Sequence, residues 1–239
     1  MKKNAVVFAG RNALDSSELR TNIVRIPEVT IRIRQAQKIL ESMSQENVDL
    51  LGVLAADDET FFKNLKQKSL LAAIVQVGLF DRFSRTQRRP DFLVGTSNGD
   101  SALKVCAGHM SFEDMVRATV EEVKPSNVVE LSVVQAAPLL SGVSLTEFGA
   151  VELSNTEGIG PVYGEVKAGA MELKTVLSTL HNDFRVDRFI NIGPTSALTG
   201  SDFKTLGSED VESVDSIEMD PMLTWFWRGI AQSANTLNQ

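Results

Sequence analysis

The chain has 239 residues, 43% of them hydrophobic and 23% charged, with 24 basic against 31 acidic residues and a formal net charge of −7. At about 150 residues per domain this is one large domain or one domain plus a small appendage, and the composition excludes a disordered, collagenous or coiled-coil chain. The acidic balance argues against a general nucleic-acid binder. One cysteine (Cys106) excludes an intramolecular disulfide and a multi-cysteine metal site, and two histidines (His109 and His181) argue against a His-rich one.

Met1-Lys2-Lys3-Asn4 leads into the short apolar run Ala5-Val6-Val7-Phe8-Ala9, and Arg11 ends it. That is a buried parallel strand followed by a loop, not a signal peptide. No apolar run reaches the ~18–20 residues of a membrane span, so the expected setting is cytoplasmic. Residues 30–47 carry Ile31, Ile33, Ala36, Ile39, Leu40 and Met43 at mostly helical spacing, with a short extended start allowed. Val48 to Ala55 reads either as a strand or as a turn of buried helix. Phe61 to Phe83 is a strongly apolar helix.

Asp91-Phe92-Leu93-Val94 reads as a strand, Gly95-Thr96-Ser97-Asn98-Gly99 as a tight turn, and Asp100 to Gly108 as a helix. Ser111, with Asp114 three residues on, caps a further amphipathic helix that Pro125 ends. Val128 to Val134 is a strand, 141–160 is loop-like, and Val162 to Val166 is a strand. Met171 to Leu180 is an amphipathic helix. Phe189-Ile190-Asn191-Ile192 is a strand broken by Gly193-Pro194. Residues 201–220 read as an acidic surface segment, and Trp225-Phe226-Trp227 as an aromatic tail that packs on the core or meets a partner. Apolar strands alternating with amphipathic helices give an α/β fold, a mostly parallel sheet covered on both faces.

Gly95-Thr96-Ser97-Asn98-Gly99 fits G-x-S-x-G between a strand and a helix. In that setting a serine is turned out of the sheet edge, and the helix start behind it supplies N–H groups and a positive dipole end for an oxyanion. The Asn98 N–H is the natural oxyanion donor. An ordinary tight βα turn is the competing reading. A serine nucleophile needs a base. His109 lies twelve residues on, about 18 Å away along a helix, and reads as a capping or packing residue. His181, at the end of the 171–180 helix, is a weak candidate for the base. Arg82, Arg85, Arg88 and Arg89 make a basic run before the elbow strand, either a solvated helix end or a docking surface for an acidic partner. Arg25, Arg32, Arg34 and Lys38 carry the same ambiguity.

Residues 89–108, with Ser111-Phe112-Glu113-Asp114, resemble the malonyl-CoA:acyl-carrier-protein transacylases and polyketide-synthase acyltransferase domains. Their elbow reads G-H-S-x-G-E, followed by S-A-L…A-G and a phenylalanine–acid pair. Phe8-Ala9-Gly10 resembles that family's opening F-P-G-Q-G loop. Phe189 to Pro194 with Leu198-Thr199-Gly200 resembles its late E-V-G-P-G…L-T-G segment. The resemblance implies a three-layer α/β/α fold like the large subdomain of those enzymes, over 1–239 as a single domain, with the acidic segment and aromatic tail of 201–239 packed on it. It further implies Ser97 as the nucleophile, and Arg11, at the position of the family glutamine, beside the oxyanion hole with Asn98.

The departures are specific. The histidine before the family serine is Thr96 here. The best match to the family's V-x-x-H-x-x-L-M segment puts Ala136 at the catalytic histidine. Glu121 and Glu122 stand about where the family has its carboxylate-binding arginine. Only 39 residues separate Ser97 from position 136, too few for the family's small ferredoxin-like subdomain. The resemblance therefore leaves two expectations. One is a catalytically impaired homologue that binds an acyl carrier protein or synthase component in a fatty-acid or polyketide type pathway. The other is an active serine acyltransferase or acyl-thioester hydrolase using Ser97. No metal or resident cofactor is expected, the ligand being an acyl-CoA or a phosphopantetheine-linked acyl group. A homo-oligomer through the aromatic tail is a third, weaker expectation.

Overall fold

The computed structural model describes residues 3–8, 14–44, 48–63, 65–96, 99–121, 131–135, 163–166, 173–193 and 211–228. Among these residues the strands form one six-stranded sheet. β1 is Lys3–Phe8, β2 Phe92–Thr96, β3 Leu131–Gln135, β4 Tyr163–Val166, β5 Val186–Ile192 and β6 Glu212–Asp215, in the order β4-β3-β2-β1-β5-β6. β2, β1, β5 and β6 are parallel, whereas β3 and β4 join antiparallel beyond β2. The expected mostly parallel α/β sheet is therefore the observed one. The ferredoxin-like subdomain whose absence the resemblance implied falls largely on residues outside those described. The described strands of that region, β3 and β4, extend the main sheet.

The last four residues of β1 and of β5 are buried on both faces, which is why residues 5–8 and 189–192 read as largely apolar runs. Side chains alternate across a strand. Val6, Phe8, Leu93, Ile190 and Ile192 join the large core with the helices Pro27–Ser44 (α2) and Leu65–Thr86 (α5). Ala5, Val7, Val94 and Phe189, also buried, take the other face. There β5 meets the helix Leu173–Asn182 (α8), with Val176, Leu177 and Leu180 fully buried.

The helices follow local signals, with two open alternatives resolved and one helix corrected. α2 begins at Pro27, whose fixed φ suits a first helical turn, so no extended start precedes residue 30. The ambiguous run 48–55 is the helix Leu50–Ala55 (α3), because the Asp49 side chain caps it by accepting from the Gly52 N–H at 2.8 Å. The single helix expected over 61–83 is divided. Asp57 accepts from the Thr60 N–H at 2.8 Å and starts a short helix, Asp58–Lys63 (α4), ahead of α5. A short helix Ser17–Ile23 (α1) precedes α2. Ser111 caps the helix Phe112–Glu121 (α7) as expected, accepting from the Asp114 N–H at 3.0 Å. Pro125 and 141–160 lie outside the described residues.

The acidic segment 201–220 is corrected in its described part. Residues 212–215 are edge strand β6, and Ser216, Ile217 and Asp220 behind it are buried. The aromatic tail packs inward: Phe226 is fully buried, with Trp225 and Trp227 edge-on to it at 5.9 and 5.5 Å.

α2 and α5 cross in close contact at Gly78. A Cβ there would lie 2.6 Å from the Val29 Cα and 3.0 Å from its backbone nitrogen. The two helices carry much of the core, including Val29, Ile33 and Ala36 on one and Leu71, Ile74 and Val75 on the other.

Candidate active site

Phe8 at the end of β1 is paired with Gly95 of β2 and with Ile192 at the end of β5. Three parallel strands thus end side by side. The chain leaves this edge at residues 9, 97 and 193, the three places where the sequence patterns lie. The carboxyl edge of a parallel sheet is where α/β folds bind ligands. Ser97, Asn98 and Arg11 are outside the described residues. The elements on either side of them are described. Ser97 and Asn98 are the whole connection between Thr96, the last residue of β2, and Gly99, the first of the helix Gly99–Cys106 (α6). Arg11 lies between Phe8 and Leu14.

Both histidines of the chain are placed, and neither is at this edge. α6 closes with Gly108 at φ +80°, the Gly108 N–H bonded to the Val105 carbonyl at 3.0 Å and the His109 N–H to the Lys104 carbonyl at 2.9 Å. This is a Schellman C-cap, and it puts His109 beyond the far end of the helix that begins after Ser97. Burial, then nearby Lys104, lowers its imidazole pKa. His181 Nδ1 lies 3.0 Å from the carbonyl oxygen of Val186, the first residue of β5. Val186 pairs with Lys3 at the start of β1. β5 is seven residues long, about 20 Å, so His181 belongs to the amino edge of the sheet. α8 delivers the chain to the start of a parallel strand, not its end.

The basic run also resolves. Arg82 is used internally: its Nε donates to Asp220 Oδ2 at 2.5 Å, and its Nη1 is 3.5 Å from Glu28 Oε1, both carboxylates being only 4% exposed. Hydrogen bonding to Asp220 raises the Arg82 pKa, and the same bond lowers that of Asp220. Arg85 donates to Glu28 at 2.8 Å, its side chain otherwise exposed. Arg88 is 3.8 Å from Asp91, and Arg88 and Arg89 are exposed. Arg82 is thus corrected from docking candidate to internal ion pair. Arg88 and Arg89 stand just before β2, at its amino end, a strand length of about 17 Å from the residues that follow Thr96.

Replacing Arg82 by methionine strands the buried carboxylate of Asp220, while Arg85 still holds Glu28, and is expected to cost about 3 kcal/mol at neutral pH. Asp220 has a depressed folded-state pKa. Its stabilising contribution is present above the ordinary carboxylate pKa and is lost as pH falls through the folded value. The gap between wild type and Arg82→Met in denaturant melts should therefore narrow in acid. An equal gap at pH 7 and pH 3 would refute the pairing.

Cys106 is half-buried against the core rather than fully buried as the sequence suggested, and desolvation, then Asp81, push its thiol pKa well up. No sequence signal marked Arg20, which is fully buried. Its guanidinium donates to the carbonyls of Leu14, Asp15, Leu54 and Ala56 and to Asp58, and stacks 4.1 Å above the Phe61 ring. It ties the segment that follows the β1 loop to α3 and α4. A buried arginine of this kind has no spacing pattern, because backbone carbonyls leave no mark in the sequence and two of its four, Leu54 and Ala56, lie more than 30 residues on.

No family model matches the chain, and no curated protein matches it in sequence. Solved structures do match. A malonyl CoA-acyl carrier protein transacylase from Clostridium perfringens aligns at TM-score 0.56 and 13% identity, over 96% of this chain and 99% of its own. The fold is that of the malonyl transacylases. A complex of a type II polyketide-synthase acyl-carrier protein with its malonyl-transacylase gives TM-score 0.55 at 15% identity, covering 89% of this chain and 95% of that one. An acyl carrier protein S-malonyltransferase from Vibrio cholerae gives 0.54 at 12%, covering 90% and 96%. Among the described residues no helix is long and apolar enough to cross a membrane, and no three His, Cys, Asp or Glu side chains group as a metal site.

Proposed function

We propose that this chain is a divergent, catalytically impaired malonyl-transacylase homologue that works as a binding component beside an acyl carrier protein or synthase subunit. The observation that carries this reading is the position of the two histidines. Serine nucleophiles in acyl transfer depend on a base within hydrogen-bond reach. His181 sits at the opposite edge of the sheet and His109 beyond the far end of α6. Loss of a triad member removes several orders of magnitude of rate while leaving the binding edge intact. The location of Arg88 and Arg89 agrees. An acidic carrier protein seated there would rest at the amino edge, as a docked partner rather than one delivering a thioester to Ser97. The second reading, an active serine acyltransferase or thioesterase, is favoured by one feature, the two-residue strand-to-helix connection that contains Ser97.

Intact-mass measurement after incubation with malonyl-CoA, acetyl-CoA or a fluorophosphonate separates the two. The binding reading expects no acyl adduct on wild type within a time that fully labels an active serine hydrolase. It also expects retention on an immobilised acyl carrier protein that Arg88→Glu with Arg89→Glu weakens about tenfold. A rapid wild-type adduct missing from Ser97→Ala would establish the enzyme instead.

A further inference from the structure

Asp215 ends β6, and its cross-strand partner on β5 is Asn191. Asn191 is 1% exposed, flanked in β5 by the buried Ile190 and Ile192. One oxygen of each side chain, Asn191 Oδ1 and Asp215 Oδ1, is buried with no hydrogen-bond partner among the described residues. Two acceptor oxygens on paired positions are an unfavourable arrangement in a buried setting. A proton on Asp215 would convert one acceptor into a donor. The Asn191 Nδ2 is turned to Ser213 Oγ at 3.4 Å, and its remaining N–H only partly offsets the burial of Asp215. Among the described residues the charged group acting on Asp215 is Glu218, in the turn that follows, and it is of like sign. The ion pair Arg188–Glu212 sits at the other end of β6, where Arg188 and Glu212 are paired. The segment behind Asp215 carries Asp220, which holds Arg82.

We propose that Asp215 is a proton-operated latch on edge strand β6: protonated, it shares its proton within the Asn191 pair and holds β6 on β5, and ionised, it loosens β6 and the segment that carries Asp220. Burial first, then Glu218, raise the carboxyl pKa to about 6, with Asn191 opposing, so the latch works near neutral pH. The sign follows. A raised folded-state pKa gives stability that is complete below the ordinary carboxylate value and lost as pH rises through about 6.

The test is hydrogen exchange of a peptide covering 211–220 at pH 5.0 and pH 7.5, corrected for intrinsic rates, on the full chain. Wild type is expected to lose protection there by about tenfold at the higher pH, while a peptide covering β1 does not change. Asp215→Asn should abolish the pH dependence. Glu218→Gln, which leaves the pair intact, should move the midpoint to lower pH. Unchanged wild-type protection between the two pH values would overturn the latch. So would a pH dependence that persists in Asp215→Asn, or, where that variant does not fold, a midpoint that Glu218→Gln leaves in place.

Discussion

Arg20→Met is expected to lower the stability of the chain by about 4 kcal/mol. Methionine matches the length of the apolar stem, so the loss is polar rather than volumetric. Five N–H groups disappear, and the carbonyls of Leu14, Asp15, Leu54 and Ala56 lose their donor, as does Asp58. Stranded buried acceptors cost more than a made bond gains. At roughly 2–4 °C per kcal/mol for a chain of this size, the melting temperature should fall by about 8–16 °C. Arg20→Lys should recover little, because an ammonium has three donors and no planar fork to reach acceptors on both sides. Denaturant melts that place Arg20→Met within 1 kcal/mol of wild type, about the value of a single net hydrogen bond, would show that these bonds do not hold the fold.

Gly78→Ala is expected to destabilise, although alanine is the better helix former by about 1 kcal/mol. The atoms its methyl would meet are the Val29 Cα and nitrogen, which are backbone and cannot rotate aside. α2 and α5 must therefore separate by on the order of 1 Å along the face that buries Ile33, Ala36, Ile74 and Val75. Overpacking of this kind costs about 1–3 kcal/mol, occasionally more. The balance is a net loss of about 2 kcal/mol, visible in the same denaturant melts. A more stable Gly78→Ala would mean the helices are further apart than described.

The readable parts of the fold are those where burial is two-sided or a cap is local. β1 and β5 show as apolar runs because both faces are covered, and α7 shows because Ser111 and Asp114 sit three apart. β6 did not show. Glu212-Ser213-Val214-Asp215 has one apolar residue, which is all an edge strand with one free side requires. The division of α4 from α5 was hidden because apolar spacing continues across it, and Asp57 was not recognised as a cap. The antiparallel sense of β3 depends on a connection, not on its own residues. At the site, the three patterned segments were legible as patterns, and their convergence follows from β1, β2 and β5 being adjacent and parallel. The location of His181 was not legible, because a residue preceding a strand takes its edge from the direction in which that strand runs. Arg82 read as surface charge, since Asp220 lies 138 residues away.

The central place of β1 has a consequence for biosynthesis. The strand is made well before either neighbour, β2 at Phe92–Thr96 or β5 at Val186–Ile192. At ~5–20 residues per second, Ala5-Val6-Val7-Phe8 waits about 10–40 s after emerging before β5 exists to cover its second side. Throughout that interval β1 keeps at least one unpaired, aggregation-prone edge. Chaperone occupancy near the ribosome, rather than final stability, should then set the yield of folded protein.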